Sequence, residues 1–311
     1  MAHSMSIIPI DDADIVAGRA LRVDFARFWS EATGDPREVY DRFVAATPLA
    51  PDVTVEPAST TPAPGVWVRP AHTAPGRVVL FLHGGGYGLG SASAYAGLVS
   101  QLAARAGTPA FALEYPLAPE ATLPVALDLA VATLTRLCDG HSAVALAGDS
   151  AGGGLALATA AEARRRGIPV SAVAVFSPWT DLTLSGASVR EHAVGDPLLD
   201  PAYLRDSAAT YLGSAAADDP RASPLFDSPT RLPPLMTQVG TDEILLDDSR
   251  RFAEAVAQAG GTVTLQVWQA MHHVFQLNVA QLDSARRALD HAARFLAGHL
   301  DVPQTEHRAH R

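Results

Sequence analysis

From Val78 onward the chain alternates between two hydrophobic patterns. Short, nearly continuous apolar runs at Val78 to Leu82, Pro109 to Leu113, Ala143 to Ala147, Val170 to Phe176, Leu235 to Val239 and Val263 to Trp268 have the length of strands buried on both faces. Between them lie Ala/Leu-rich stretches of helical length near Ala92 to Ala106, Pro124 to Leu137, Gly152 to Arg166, Asp248 to Ala259 and Val279 to Leu300. The third of these helices is well bounded. Arg164, Arg165 and Arg166 fill its last turn, where cations suit the helix dipole, and Gly167 and Pro169 follow. Such alternation predicts an α/β fold with a mostly parallel central sheet flanked by helices.

Two regions break the alternation: residues 1–50 and the Pro/Asp/Ser-rich stretch 181–229. We read them as the two parts of a helical cap over a catalytic core made of residues 51–180 and 230–303. In the first part, Arg19 to Phe28 carries Leu21, Phe25 and Phe28 at helical spacing, which suits either covering a pocket or packing on the body. Pro57 to Pro64 reads as a turn-rich connection. The polar end Met1 to Met5 reads as disordered, and residues 304–311 read as a flexible tail.

Composition narrows the function classes. The 311 residues are 48% apolar and 18% charged, with 24 glycines and 23 prolines, enough apolar material for a large core joined by tight turns. A formal charge of −10 would repel phosphate backbones and anionic membranes, so nucleic acid is not an expected partner. The single cysteine, Cys138, has no disulfide partner and no neighbours at metal-ligand spacing, which points to a reducing compartment. No basic segment followed by an apolar one opens the chain, and no apolar run could span a bilayer; a cytoplasmic location is the expectation.

The chemistry begins at Gly148-Asp149-Ser150-Ala151-Gly152, where a buried strand runs into an Ala/Leu-rich helix. A G-x-S-x-G elbow needs that context, because the turn forces the serine into strained angles and brings the flanking positions too close for side chains. Ser150 would project above the carboxyl end of the sheet as a nucleophile, beside amides at a helix N-terminus. Upstream, His83-Gly84-Gly85-Gly86-Tyr87-Gly88 follows the first strand. Glycines there let N–H groups approach a developing oxyanion, each donor typically contributing roughly 3–4 kcal/mol. Gly85 and Gly86, with the N–H of Ala151, are the predicted oxyanion hole, and His83 is expected to orient the loop rather than perform chemistry. Neither glycine cluster has G-x-G-x-x-G spacing, no G-x-x-x-x-G-K-[ST] occurs, and H-E-x-x-H is absent. Nucleotide-binding and metal-hydrolase readings therefore fall away.

These motifs, together with Tyr115-Pro116-Leu117-Ala118-Pro119-Glu120 and Asp196-Pro197-Leu198 in the same order, resemble the bacterial hormone-sensitive-lipase family of esterases (family IV) in its G-D-S-A-G-G subgroup. The likeness covers roughly residues 65–300; the family usually has Arg where Pro116 stands. It implies the α/β-hydrolase fold, no metal or cofactor, and hydrolysis of short- to medium-chain acyl esters, with lactones as further substrates and an edge-strand homodimer as the common assembly. Some relatives bind a ligand without catalysis, but here a full set of candidate catalytic residues is present.

The order nucleophile, acid, histidine places the acid after the strand Leu235 to Val239. Asp242, Glu243, Asp247 and Asp248 compete. Asp242 is nearest the strand end and matches the family's first acidic position; Asp247 and Asp248 fit as caps of the next helix. The last strand leads to Met271-His272-His273-Val274-Phe275, where the resemblance selects His273 as general base. His291 and His299 read as surface residues. The expected triad is Ser150, Asp242 and His273. Candidate pocket walls are Phe28, Trp29, Tyr87, Trp179, Leu198 and Phe275, for each of which ordinary packing is the competing reading.

Overall fold

The computed structural model describes residues 3–191 and 195–301. Along the chain the strands are β1 (His3–Ile8), β2 (Val53–Ala58), β3 (Gly65–Pro70), β4 (Arg77–Leu82), β5 (Ala110–Leu113), β6 (Ala143–Asp149), β7 (Val173–Phe176), β8 (Leu235–Gly240) and β9 (Val263–Trp268). The helices are α1 (Asp12–Glu31), α2 (Pro36–Val44), α3 (Ala96–Ala106), α4 (Val125–Gly140), α5 (Ser150–Arg166), α6 (Ser188–Glu191), α7 (Pro201–Leu212), α8 (Leu246–Gln258) and α9 (Asp283–Leu300). All the strands join one sheet in the order β1-β9-β8-β7-β6-β4-β5-β3-β2. It is parallel from β1 to β5 and antiparallel at β5–β3 and β3–β2.

The two-residue period of the buried strands divides the core into two layers. Val78, Leu80 and Leu82 of β4, with Val144 and Leu146 of β6, face the side covered by α4, α5 and α8. Val79 and Phe81, with Ala143, Ala145 and Ala147, face α3 and α9. The alanines on the second face let those helices approach closely, and the sheet supports everything that follows at its carboxyl edge.

All six predicted strands exist. Three more escaped the pattern: β2 and β3, which flank the connection read at Pro57 to Pro64, and β1, which includes residues expected to be disordered. β1 runs parallel to β9, from His3 opposite Val263 to Ile8 opposite Trp268. The tail 304–311 lies outside the described residues. Helix starts also shift. The last helix begins at Asp283 rather than Val279: the chain first turns on Asn278, whose carbonyl accepts from the amides of Gln281 and Leu282, and the Asp14 carboxylate takes the amides of Asp283 and Ser284 where the helix opens.

Both interruptions carry helices, and the first also holds β1 of the sheet. In the first, α1 is capped by Asp11, whose side chain accepts from Asp14 N–H at 2.8 Å, and α2 opens with Pro36 behind the cap Asp35. Leu21 and Phe25 face inward as their spacing requires. In the second, Asp200 caps α7, accepting from the amides of Ala202 and Tyr203. Among the described residues no helix is long and apolar enough to cross a membrane.

Candidate active site

β6 passes directly into α5 at Ser150, whose φ of 51° is the strained elbow that the sequence required. A Cβ on Gly148 would overlap the carbonyl oxygen of Gly152, and one on Gly152 would overlap the carbonyls of Leu82 and His83. Both glycines are thus demanded by backbone approach. Ser150 Oγ lies 2.9 Å from His273 Nε2, and His273 Nδ1 lies 2.7 Å from Glu243 Oε2. With Nδ1–H directed at a carboxylate, Nε2 is left to accept from the serine hydroxyl.

The carboxylate behind the histidine is therefore Glu243 and not Asp242. Gly240 N–H donates to Glu243 Oε1 at 2.7 Å and the Ser177 hydroxyl donates to the same oxygen at 2.8 Å, which folds the side chain back beneath the strand end and buries it. Asp242 points the other way. Its Oδ2 accepts from Arg22 of α1 at 2.6 Å, its Oδ1 accepts from Thr241, and 40% of its side chain is exposed. Successive residues leaving a strand face opposite directions, so only one of the pair could reach the imidazole. Glu243 heads the buried run Glu243-Ile244-Leu245, whereas Asp242 follows the polar Thr241; that change in environment is the signal that could have separated them.

Burial alone would lower the His273 pKa, but the hydrogen bond and charge of Glu243, aided by the negative charges of Asp196 and Asp149, overcome it and raise the pKa above 6.5. His272 faces elsewhere: its Nε2 meets Asn278 Oδ1 at 2.9 Å, its ring packs edge-on to Phe25 of α1, and burial pushes its pKa down to about 4. Two further residues of this shell hold left-handed backbone angles, Ser177 (φ 46°) and Val274 (φ 47°), and Val274 N–H donates to the Ser177 hydroxyl at 3.1 Å.

The glycine loop arches over the elbow. Gly85 and Gly86 have φ of 115° and 61°, and the N–H groups of Gly85, Gly86 and Ala151 have no hydrogen-bond partner among the described residues. The loop's approach is fixed from behind. Gly84 N–H donates to Asp149 Oδ1 at 2.9 Å, His83 Nδ1 meets Gly84 O at 2.8 Å, and the Tyr115 hydroxyl donates to His83 O at 2.7 Å. His83 is fully buried against Tyr115, and burial lowers its pKa to about 4, so it is a neutral orienting group. Burial, opposed by hydrogen bonds from Tyr95 and Gly84 and by the nearby His273, pushes the Asp149 pKa up to about 7.

A cleft of about 240 Å³ opens onto Ser150 and His273, walled in part by residues of α1, α2 and α7. Trp29 and Leu198, both expected, line it; Tyr40, Phe43, Tyr203 and Leu277, all missed, line it too. Phe28 stands behind the wall, packed on Trp29 and Phe43. Tyr87 is swallowed by the core, stacked on Tyr211 of α7 at 3.7 Å, and Trp179 is likewise fully buried. Phe275 packs under Trp268. Asp247 and Asp248 do not cap their own helix: they accept from the amides of Ser188, and of Thr180 and Asp181, tying the stretch 180–188 to α8. His291 and His299 are half-buried rather than on the open surface. No three His, Cys, Asp or Glu side chains among the described residues converge in a way that could hold a metal.

The profile of the alpha/beta hydrolase fold matches residues 79–277. An acetyl-hydrolase of Streptomyces hygroscopicus is 43% identical over 225 residues, covering 71% of this chain and 75% of that protein. Among solved structures, an esterase from the bacterial hormone-sensitive lipase family superposes with a TM-score of 0.86 at 32% identity, covering 94% of this chain and 99% of that one. EstE5, in a crystal soaked with p-nitrophenyl butyrate, gives a TM-score of 0.84 at 32% identity, covering 94% and 100%. By sequence and by shape alike, the chain belongs to the α/β-hydrolase-fold family, among the esterases of the bacterial hormone-sensitive lipase group.

Proposed function

We propose that this ester hydrolase is a serine carboxylesterase that cleaves short- to medium-chain acyl esters through an acyl-enzyme. The observation that carries the reading is the buried chain Ser150 Oγ, His273 Nε2, His273 Nδ1, Glu243 Oε2, at 2.9 and 2.7 Å, set beside unpaired backbone amides. Ser150 attacks the ester carbonyl while His273 takes its proton, and the oxygen that becomes negative lies toward the amides of Gly85, Gly86 and Ala151. His273 returns the proton to the departing alcohol. Water then repeats the sequence on the acyl-serine. Glu243 holds the tautomer and stabilises the imidazolium.

The small, largely apolar cleft favours modest acyl groups. Trp29, Phe43, Leu198 and Leu277 offer dispersion contacts and little room for a long chain. The same preference is suggested by a relative named acetyl-hydrolase and by a butyrate ester soaked into a similar structure. Lactones present the same carbonyl, and their ring opening is assayed beside the ester series. With p-nitrophenyl esters from acetate to palmitate, activity should peak at the short end, with a burst of nitrophenol. Ser150→Ala should lower kcat by at least about 10⁴-fold at unchanged melting temperature. Turnover that survives this substitution would overturn the proposal.

A further inference from the structure

We propose that Asp149 is the positioning residue that aims the oxyanion amides. This rests on the Ser150-centred reading above and extends it to a side chain that touches neither the base nor its acid. Both carboxylate oxygens are engaged behind the loop. Oδ1 accepts from Gly84 N–H at 2.9 Å, and Oδ2 accepts from the Tyr95 hydroxyl at 3.0 Å. Tyr95 in turn meets the hydroxyl of Tyr40 at 2.9 Å, and Tyr40 belongs to α2 and lines the cleft. A Cβ on Gly84 would overlap Asp149 Oδ2 and crowd the Tyr95 hydroxyl, so the loop is pressed against this pair.

The polar groups of the segment leading into the hole are thus tied: His83 O by Tyr115, Gly84 O by the His83 ring, and Gly84 N–H by Asp149. The next two amides, of Gly85 and Gly86, are free to meet an oxyanion. A glycine-rich strand of backbone has many orientations available, and donors contribute to catalysis only if they are aimed before the charge develops. Charge attraction cannot be the purpose of Asp149, since a carboxylate close to a forming oxyanion repels it. What the side chain supplies is an acceptor at a fixed point, and a neutral amide could supply the same.

The test compares Asp149→Ala, Asp149→Asn and Tyr95→Phe with the parent on p-nitrophenyl butyrate. Each is paired with its melting temperature and its inhibition by a trifluoromethyl ketone, whose adduct carries the oxyanion. Asp149→Ala should lower kcat by about 100-fold with KM within threefold, and weaken the ketone by a similar factor. Asp149→Asn, which keeps an acceptor for Gly84 N–H, should recover activity to within about fivefold of the parent. Tyr95→Phe should show a smaller loss of the same kind, which keeps the test open if Asp149→Ala does not fold. The inference is overturned if Asn is as impaired as Ala, because the charge and not the acceptor would then matter. It is also overturned if the losses in Asp149→Ala or Tyr95→Phe fall on KM alone. If Ser150→Ala still cleaves esters, the functional reading fails; if Ser150→Ala is dead and the Asp149 variants are normal, only this inference does.

Discussion

The carboxylate of Glu243 receives Gly240 N–H, the Ser177 hydroxyl and His273, and no solvent; that of Asp242, one residue earlier, sits half in water on Arg22. Glu243→Gln should therefore lower kcat by about 10²- to 10⁴-fold, while Asp242→Asn stays within about threefold. The pH profile carries the same distinction. His273 must be neutral to accept a proton, and its pKa lies above 6.5 because Glu243 offsets the effect of burial. Activity in the parent should thus fall as the pH drops through a midpoint above 6.5. With glutamine at 243, burial acts unopposed by that charge and the midpoint should move down. A profile of kcat/KM between pH 5 and 9 for both proteins reads the sign directly; an upward or absent shift would argue against Glu243 as the partner. The meeting of Ser150 with His273 was legible in the sequence because their motifs leave little choice of position. The carboxylate behind His273 was not, because two adjacent carboxylates differ only in which side of the chain they leave, and a turn closed onto Gly240 decides that.

At the scale of elements, the cleft depends on how the segments that wall it are fastened to one another. Arg22 of α1 bridges the 181–229 stretch and the turn after β8, donating to Gly195 O and to Asp242 Oδ2, both at 2.6 Å. Asp196 continues the seam, accepting from the amides of Leu198 and Leu199 on one side and of Ile244 on the other. A half-exposed ion pair contributes about 0.2–1 kcal/mol, so Arg22→Ala should raise KM by up to about fivefold and change kcat less than twofold. Steady-state kinetics in low and high salt should show the parent moving partway toward the variant; an unchanged KM would mean that the pair does not hold the cap. The parallel strands from β4 to β9 could be read in advance, since burial on both faces leaves continuous apolar runs. β2 could not, because it is an edge strand exposed along most of its length and includes Glu56 and Pro57. The cap helix over Leu21 and Phe25 was visible by its period. Which aromatics line the cleft was not, because Tyr87 of the glycine loop is drawn into the core by a partner, Tyr211, more than a hundred residues away.

Taken as a whole, the molecule keeps Ser150 and His273 almost closed to solvent. Ser150 is 8% exposed, at the end of the central strand β6, and His273 5% exposed, in the turn after β9, with packed layers on both faces of the sheet. Ser150, Ser177 and the β-branched Val274 all hold positive φ around the acid and the base. Each such angle typically costs about 1–3 kcal/mol in isolation and persists only while its surroundings enforce it. Heat should therefore leave no folded but silent species: residual turnover and near-ultraviolet dichroism should decay along one superimposable curve. A plateau of inactive protein with intact aromatic signal would contradict this. Three contorted joints gripped by the same interior make the catalyst brittle rather than pliable, failing all at once when that grip is released.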